Sequence, residues 1–590
     1  MKHKRKQKSS SDSFQRFISR RPRESVSLAV LMSAGLVLGG SQATVLAQTA
    51  PRVPVNALPV QARDWQQQGA GATYSVTGNA AKVNLTGPAN ILHWKSMDVG
   101  ASASLNFKMD SATARVLNKV DGGAWLNKTV IDGALKSNGQ VYIYNPNGII
   151  FGKTATVNVN SLVASSLKMD DQRFMDGLLS PSAAANFALD SLLGFIPGAV
   201  VVEGERNGSV LQQAAITAEK NGLVMLLAPQ VSNAGQLSAP DGQVLLAAGS
   251  KVYLAAPQDS TMRGLRVEVS SDGLASLAIK TEADGVGDLA RSVNPSASNA
   301  AIGQMDVQRG NITLVGLAVN QMGLASATTS VSLNGSIFLK AQDGATKPGA
   351  AANAVASQGG RLVLGDNSLT RILPTLDDTA TAAAPPAGQA FKPSRVELSG
   401  RSVTLGKNSE VIAPSGKVTL AARVNPNAPD QLKNDSLVEL GEGSLIDVSG
   451  TIGTTLAMES NVVTAELRGG ELADNVLLKN SVVRGQTVRL DRRKATNGIP
   501  VANILGYLDL VERGVGENTA AGGTVTVTSE GTIDQKAGSK INVSGGWVDY
   551  AAGYLNTSKL SLGNRWFDIE TAPSSSMRPP LKRAATCRAK

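Results

Sequence analysis

The stretch from Val141 to Gly152 reads Val-Tyr-Ile-Tyr-Asn-Pro-Asn-Gly-Ile-Ile-Phe-Gly. It consists of an apolar segment, four turn-forming residues and a second apolar segment, which predicts two strands joined by a tight turn. Pro146 presets the backbone at the second turn position, Asn147 tolerates either helical region, and Gly148 has no Cβ to clear. Turns of this kind are common between strands. The meaning of the tetrapeptide Asn145–Gly148 therefore depends on the sequence around it.

Short runs of alternating apolar residues recur along the chain from about residue 70, separated by Gly, Asn, Asp or Ser, and each has the length of a strand. Clear examples are Gly222–Leu227, Gly242–Ala247, Lys251–Leu254, Asn311–Leu314, Ser336–Leu339, Arg361–Leu364, Arg395–Leu398, Ser402–Leu405, Lys417–Leu420 and Thr524–Val527. Helical patterns between these runs are largely missing. The sequence therefore predicts an all-β protein and excludes a sheet built from βαβ units.

The spacing of the strands separates the possible all-β architectures. Neighbouring strands lie seven to ten residues apart in many places, as Val396, Val403 and Ile412 do. A single sandwich or barrel would not extend over about 500 residues, whereas a β-solenoid grows by adding coils of roughly 20–25 residues. We predict a right-handed parallel β-helix, and about 500 residues would give on the order of 20–25 coils.

An internal repeat supports stacked coils. Gly443-Ser-Leu-Ile-Asp-Val-Ser-Gly450 recurs as Gly538-Ser-Lys-Ile-Asn-Val-Ser-Gly545. In both copies Ile and Val occupy alternate positions and so share one face of a strand. We expect these Ile and Val residues to be buried in an axial column, with Asp447 and Asn542 at corners or on the outside.

Other segments interrupt the strand pattern. Capping strands are expected near residues 55–100, because the first coil of a solenoid has open edges. Residues 173–197 show helical spacing and predict a short helical insertion. Residues 341–358 and 373–394 are rich in Ala, Gly and Pro and predict protruding loops.

The positive charge of the chain lies at its two ends. The formal net charge is +11, of which residues 1–24 carry +7 and residues 578–590 carry +5, so 11 − 7 − 5 leaves −1 for residues 25–577. A nucleic-acid-binding surface would need Lys and Arg on the folded part of the chain. We therefore expect no nucleic-acid partner.

The N-terminal basic block precedes an apolar run, Val26–Leu38, and small residues that end at Ala47. This order predicts an extended signal peptide over residues 1–47, cleaved after Ala47. No later stretch reaches about 18 consecutive apolar residues, so no transmembrane segment is expected. The single cysteine, Cys587, excludes an intramolecular disulfide.

The sequence offers little catalytic chemistry. His93 is the one histidine after the predicted signal peptide, and a lone histidine beside Trp94 is more often packed than catalytic. Phosphate-binding loops, zinc spacings and nucleophile elbows are missing. We predict no enzyme, no catalytic residue, no metal and no cofactor.

Four segments on either side of the tetrapeptide carry a family resemblance. They are Arg115–Gly122, Ile131–Gly139, Val141–Gly152 and Val157–Leu167. In that order they closely resemble the secretion domain of two-partner secretion exoproteins, the filamentous haemagglutinin family. The long basic signal peptide and the segment Ala214–Leu254 are similar to the same family.

The distal half of the chain resembles a branch of very long haemagglutinin-like exoproteins, in the segments Asn461–Gly469 and Thr519–Val525 among others. The resemblance implies a secretion domain with the first coils over residues 48–320 and further β-helix repeats over residues 321–570. Residues 571–590 form an atypical basic tail, so we hypothesise a truncated or frameshifted gene product.

The family implies export through a dedicated outer-membrane barrel transporter whose periplasmic domains recognise the N-terminal domain. Asn145, Pro146, Asn147, Gly148 and Ile149 map onto its transporter-recognition and folding motif. The family's second tetrapeptide is absent, and the comparable stretch is Leu105–Asp110.

The expected product is a haemagglutinin- or adhesin-like protein, secreted or held at the surface of a Gram-negative bacterium, with a host-cell or carbohydrate receptor. Two alternatives stay open. One is the truncated stalk of a contact-dependent toxin or cytolysin, and the other is a β-helix enzyme that degrades polysaccharides.

Overall fold

The computed structural model describes residues 53–120, 127–177, 200–203, 208–255, 264–270, 296–300, 303–346, 355–383, 391–423, 435–481, 483–562, 564–573, 582–583 and 587–588. The predicted signal peptide with Ala47, most of the predicted helical insertion and most of the basic tail lie outside these residues. In the part of the chain that is described, no helix is both long enough and apolar enough to cross a membrane.

The chain winds through three ladders of parallel strands, visiting the first, the second and then the third ladder in each coil. The first ladder contains Arg115–Lys119, Gln140–Tyr144, Ser161–Ser165, Leu223–Ala228, Gln243–Ala248, Asn311–Gly316, Ser336–Ala341, Arg395–Gly400, Lys417–Ala422 and Thr524–Ser529. The second ladder contains Thr129–Ile131, Ile149–Phe151, Ser209–Gln212, Gln230–Asn233, Ser296–Asn299, Ala318–Gln321, Arg361–Leu364, Ser402–Leu405, Leu437–Leu440 and Thr532–Gln535.

The third ladder completes each coil. It contains Ser104–Lys108, Ala134–Ser137, Thr156–Val159, Ala215–Ala218, Gln236–Ser238, Gln304–Val307, Leu324–Thr329, Leu369–Pro374, Glu410–Ile412, Leu445–Asp447 and Lys540–Asn542. This arrangement is a parallel β-helix, which confirms the predicted fold class. All ten runs singled out in the sequence are strands.

In-register stacking aligns like residues into buried columns. Within the first ladder, one column consists of Val116, Val141, Leu162, Val224, Val244, Ile312, Ile337, Val396 and Val418, all with no exposed surface. Burying a Val, Leu or Ile side chain contributes about 1.5–3 kcal/mol. The period-two alternation of the sequence therefore places the core inside the coils.

A long hairpin covers the first coil, as the capping prediction required. Its strands, Val60–Thr77 and Ala80–Ser96, pair antiparallel, and the second strand continues in parallel with Ser104–Lys108 and Arg115–Lys119. Trp65 and Tyr74 of its first strand pack with Trp94 of its second, with ring centroids 5.4–6.0 Å apart. The hairpin thus pairs with the open edge of the first coil and adds an aromatic cluster at that end of the stack.

Segments between the ladder strands leave the stack and form small elements of their own. The strands outside the ladders are Val200–Glu203, Lys251–Ala255, Arg266–Ser270, Gly344–Thr346, Val355–Ser357, Thr381–Ala382, Thr454–Leu456, Val462–Glu466, Thr487–Asp491, Arg513–Gly514, Val548–Tyr550, Tyr554–Leu555, Ser558–Leu562, Arg565–Asp568, Lys582–Arg583 and Cys587–Arg588. Within the described ranges, the helices are Asp171–Asp176, Leu505–Asp509, Val515–Asn518 and the 3-10 helix Met458–Asn461.

These excursions explain why the described residues hold fewer coils than predicted. The second ladder has ten strands in the described chain, against the predicted 20–25 coils. Residues 454–519 illustrate the difference, because part of this segment builds a separate apolar cluster around the hairpin Val462–Glu466 and Thr487–Asp491. Residues that fill such a cluster add no coil.

The two copies of the octapeptide lie on top of each other. Ile446 pairs with Ile541 and Asp447 with Asn542, whose Nδ2 donates to Asp447 Oδ2 at 3.3 Å. Ile446 and Val448 are buried as predicted. The prediction is wrong for the second copy, where Ile541 and Val543 are exposed, because no described strand covers its coil.

Candidate functional site

The tetrapeptide forms the corner between a first-ladder strand, Gln140–Tyr144, and a second-ladder strand, Ile149–Phe151. Two hydrogen bonds of 2.9 Å close it, one from the Gly148 backbone N–H to the Asn145 carbonyl and one from the Asn147 backbone N–H to Asn145 Oδ1. The second bond is an Asx turn, in which the Asn side chain holds the backbone two residues on. The predicted tight turn is therefore present.

Asn145 ties this corner to the coils on both sides. Its side chain is fully buried, and its Nδ2 donates to the Asn127 carbonyl at 3.1 Å and to Thr129 Oγ1 at 3.0 Å. Its backbone N–H donates to the Ser165 carbonyl at 3.1 Å. A buried amide satisfied in this way is costly to remove, because its partners would be left unpaired.

The five residues of the predicted motif differ in accessibility. Asn145, Gly148 and Ile149 are buried, whereas Pro146 and Asn147 are partly exposed. Only the last two, among the five, present side-chain surface at the corner. The structure thus divides the motif into three residues that build the corner and two that a partner could contact.

Two carboxylates lie in the two coils before the corner, Asp98 in the first and Asp132 in the second. Asp98 Oδ1 accepts a hydrogen bond from the Val130 backbone N–H at 2.8 Å. Burial and the nearby charge of Asp132 raise the pKa of Asp98, although the bond from Val130 opposes the rise. Burial also raises the pKa of Asp132. Both groups therefore carry their negative charge at an energetic cost to the folded state.

The outward face of the early first-ladder strands is apolar and covered. Its residues form a second column, Ile91, Leu117, Tyr142, Val163, Met225 and Leu245, whose members are all buried. The covering layer includes the antiparallel strands Lys251–Ala255 and Arg266–Ser270, together with the helix Asp171–Asp176. Further along the ladder the same column continues as Thr313, Phe338, Glu397 and Thr419.

The covering helix is held by three residues of the underlying strands. Arg115 donates from Nε to the Phe174 carbonyl at 2.8 Å and from Nη2 to the Met175 carbonyl at 2.5 Å. Lys119 Nζ lies 3.0 Å from the Asp171 carboxylate. The rings of Tyr142 and Phe174 meet edge to face at 5.1 Å, and burial raises the pKa of Tyr142.

A buried glutamate connects the covering sheet to a later coil. Glu268 Oε2 accepts from Gln342 Nε2 at 2.5 Å, and Glu268 Oε1 accepts from Arg266 Nε at 3.1 Å and lies 3.5 Å from Lys340 Nζ. Burial alone would raise the pKa of Glu268, but the charges of Lys340 and Arg266 outweigh it and lower the pKa. The carboxylate is therefore charged and paired.

The sequence pattern was not used to predict the covering layer, although the composition of the strands beneath it indicates one. Leu223–Ala228 and Gln243–Ala248 are apolar at almost every position, whereas Arg395–Gly400 and Lys417–Ala422 alternate apolar and polar residues. A strand that is apolar on both faces is buried on both faces. Only the alternating strands leave an outward face for solvent.

The described residues contain no group of three or more His, Cys, Asp or Glu side chains placed to hold a metal ion. His93 lies near a single carboxylate, with Nδ1 3.4 Å from Asp64 Oδ2. A cleft of about 490 Å³, lined by residues that include Asp474, Leu477 and Leu505, opens in the segment outside the stack.

Comparison with known proteins finds a matching family model, similar curated proteins and a similar solved structure. A family model, the TPS secretion domain, matches residues 53–299. The heme/hemopexin-binding protein of Haemophilus influenzae strain Rd is 28% identical over 280 residues, which are 46% of this chain and 26% of that protein. A second heme/hemopexin-binding protein from Haemophilus influenzae is 37% identical over 79 residues, 13% of this chain and 8% of the relative.

Among solved structures, the crystal structure of the HMW1 secretion domain from Haemophilus influenzae is similar, with a TM-score of 0.43 and 20% identity, and the match covers 66% of this chain and 86% of that one. The chain spans about a quarter of the length of the first curated relative and under a tenth of the second. The family match over residues 53–299 spans the capping hairpin, the corner at Asn145–Gly148 and the covering layer. Residues 53–299 therefore match the secretion domain that stands at the N-terminus of two-partner secretion exoproteins.

Proposed function

We propose that the chain is a secreted haemagglutinin- or adhesin-like exoprotein. In this proposal a dedicated outer-membrane transporter recognises its N-terminal domain, and the chain folds into a β-helix at the surface of a Gram-negative bacterium. The match of residues 53–299 to the TPS secretion domain carries the proposal. A domain of this family implies a cognate outer-membrane transporter.

The architecture supports folding after passage through a pore. Between the two ends of the stack, each described ladder strand pairs with the coil before it and the coil after it, so a β-helix can grow by adding one coil at a time to an existing edge. The hairpin Val60–Thr77 and Ala80–Ser96 offers the first edge near the N-terminus. If the chain emerges N-terminus first, each new coil can pair with a coil that has already folded.

The exposed half of the motif supports a recognition role. Pro146 and Asn147 lie at the corner that the buried Asn145 holds in place. We propose that the transporter contacts Pro146 and Asn147, whereas Asn145, Gly148 and Ile149 act by building the corner.

Secretion assays can test this division of the motif. Residues 1–320 would be expressed with and without the cognate transporter, and secretion of wild type should require the transporter. Asn147→Ala keeps the backbone bond to Asn145 and removes an exposed bond of 3.5 Å from Asn147 Nδ2 to the Asn127 carbonyl, so it should lower secretion at least about threefold while changing the thermal unfolding midpoint little. Asn145→Ala should lower both secretion and the midpoint, because it unpairs buried groups.

Asn233→Ala is the matched control. Asn233 is equally buried, and its Nδ2 donates to Asn299 Oδ1 at 2.7 Å in the same ladder, away from the corner. This variant should lower the midpoint and leave secretion near that of wild type. Equal secretion without the transporter would refute the export route, and unchanged secretion of Asn147→Ala would refute the recognition role.

A further inference from the structure

The final coil of the described stack has an uncovered face. It consists of Thr524–Ser529, Thr532–Gln535 and Lys540–Asn542, and we call its outer side the terminal face. Each of these strands pairs with the coil beneath it and has no ladder partner on the other side among the described residues. Three adjacent strand edges therefore present unpaired backbone N–H and C=O groups, which can pair with further strands.

Core positions are exposed at the terminal face. Ile533 and Ile541 are 52% and 41% exposed, whereas Val438 and Ile446, their partners one coil below, are 0% and 1% exposed. Val543 is 51% exposed. The same column positions thus change from core to surface within one coil, which exposes several apolar side chains together at the end of the stack.

Gly545, at the terminal face, corresponds to a glycine that lies against the next coil in the first copy of the octapeptide. A Cβ on Gly450 would clash with Ala520 and Gly546, which lie over it. Gly545 is the equivalent residue of the second octapeptide, and nothing lies within 4 Å of its Cβ position. Gly545 therefore has the room above it that Gly450 needs for its neighbouring coil, although no described residue occupies that room.

The described chain beyond the last coil adds no strand to the three open edges of the terminal face. Val548–Tyr550 pairs with Thr454–Leu456, and Ser558–Leu562 pairs with Arg565–Asp568. These strands belong to the segments outside the ladders. They leave the three open edges uncovered.

We propose that the terminal face binds the terminal face of a second copy of this chain, which makes a two-fold dimer joined end to end. A two-fold axis perpendicular to the stack reverses the order in which the chain visits the three ladders. It pairs Thr524–Ser529 with itself in antiparallel sense and sets Thr532–Gln535 opposite Lys540–Asn542 of the other copy. Such an interface is isologous, so the surface has to be self-complementary.

The sequence of the final coil meets this requirement. Antiparallel pairing centred on Thr526 brings Val525 opposite Val527 of the other copy. Placing Ile533 opposite Ile541 of the other copy brings Asp534 opposite Lys540, because antiparallel registers run in opposite directions. Apolar residues thus meet apolar residues, and a carboxylate meets an ammonium group.

Charge does not oppose the association. The final coil and its connections contain Glu530 and Asp534 as acids and Lys536 and Lys540 as bases, so the sum of the formal charges is zero. Asp534 and Lys536 pair within one copy at 2.6 Å. A second copy is therefore not repelled, and opposite charges across the interface fix its register.

Sedimentation of the purified full chain over about a hundredfold range of concentration tests the proposal. Wild type should show a monomer–dimer equilibrium. Ile541→Lys and Val543→Lys change exposed positions, so each should keep the wild-type circular dichroism and raise the dimer Kd by about tenfold or more. Val476→Lys is the control, because Val476 is 85% exposed but lies outside the stack, and its Kd should equal that of wild type.

A charge exchange tests the register separately. Asp534→Lys and Lys540→Asp each place like charges opposite one another and should each weaken the dimer, whereas the double variant restores opposite charges and should recover it. A monomer at every concentration overturns the proposal. So does an oligomer that Ile541→Lys leaves intact or that the double variant fails to restore.

Discussion

Gly148 occupies a position in the corner that only glycine can fill without strain. Its φ is +115°, and a Cβ at this position would lie 2.5 Å from the Ser209 carbonyl oxygen of the next coil. The residue therefore has to be glycine for two reasons, its backbone conformation and the close approach of a neighbouring strand. The turn pattern in the sequence indicated the first reason, and only the stacked coil reveals the second.

Replacing Gly148 by alanine should therefore destabilise the N-terminal coils strongly. We expect Gly148→Ala to lower the free energy of unfolding by about 2–4 kcal/mol, from backbone strain and the contact with Ser209 together. Urea unfolding followed by tryptophan fluorescence measures it. Gly78→Ala is the control, because Gly78 also has a positive φ of 57° but nothing within 4 Å of its Cβ position, and it should cost about 1 kcal/mol. Equal losses in the two variants would contradict the role of Ser209.

Asp98 should make the stability of the early coils depend on pH. Its pKa is raised in the folded state by burial and by Asp132, so the folded protein binds the proton more tightly than the unfolded chain does. The stabilisation from the bound proton is complete below the ordinary pKa of 3.8 and is lost as pH rises through the raised folded pKa. Asp98 therefore destabilises the fold at neutral pH.

Asp98→Asn removes this charge and keeps an oxygen that can accept from the Val130 N–H. The variant should unfold at a higher temperature than wild type at pH 7, and the difference should shrink as the pH approaches 3. Tryptophan fluorescence reports on the early coils through Trp65 and Trp94. Asp306→Asn, at an exposed carboxylate, should show no such gain. A lower unfolding temperature for Asp98→Asn at pH 7 would rule out the assignment.

At the scale of single elements, the second ladder contains a buried row of amides. Gln212, Asn233, Asn299 and Gln321 end four consecutive strands and face one another in register. All four are buried with no exposed surface. Asn299 Nδ2 donates to Gln321 Oε1 at 2.7 Å and to the Gly303 carbonyl at 3.2 Å. The row joins neighbouring coils by side-chain hydrogen bonds as well as by backbone pairing.

Asn299→Ala should break this row at its centre. The change unpairs the amide of Asn233 and the carbonyl oxygen of Gln321, so we expect a loss of about 2–3 kcal/mol in the free energy of unfolding. Urea unfolding followed by circular dichroism measures it. Gln535→Ala is the matched control, because Gln535 occupies the same column in the final coil but is exposed. Its loss should stay below about 0.5 kcal/mol, and a similar loss at both positions would argue against the row.

The elements outside the ladders were the hardest to predict. The helix Asp171–Asp176 begins near the predicted insertion, but its docking depends on Arg115, Lys119 and Tyr142, more than 20 residues earlier in the sequence. Helical spacing predicts that a helix forms, and it carries no information on which surface accepts it. The apolar outward column of the early strands supplies that surface.

At the scale of the whole chain, the coils form one continuous parallel stack across the described residues, from the capping hairpin to Lys540–Asn542. The two ends of this stack differ. The first coil lies under paired strands and an aromatic cluster, whereas the last coil exposes Ile533, Ile541 and Val543. The proposed dimer concerns this second end, and the sedimentation experiment addresses it.

The strands, their stacking into coils and the capped N-terminal end could be predicted from the sequence, because period-two alternation and turn residues are local patterns. The resemblance to the secretion domain came from four ordered segments around Asn145–Gly148. The packed fold was needed to show that Asn145 is buried while Asn147 is partly exposed, that a covering layer lies on the early coils, and that the last octapeptide is exposed. Each of these depends on which strand lies above or below a residue. That neighbour is about one coil or more away in the chain, so no local pattern specifies it.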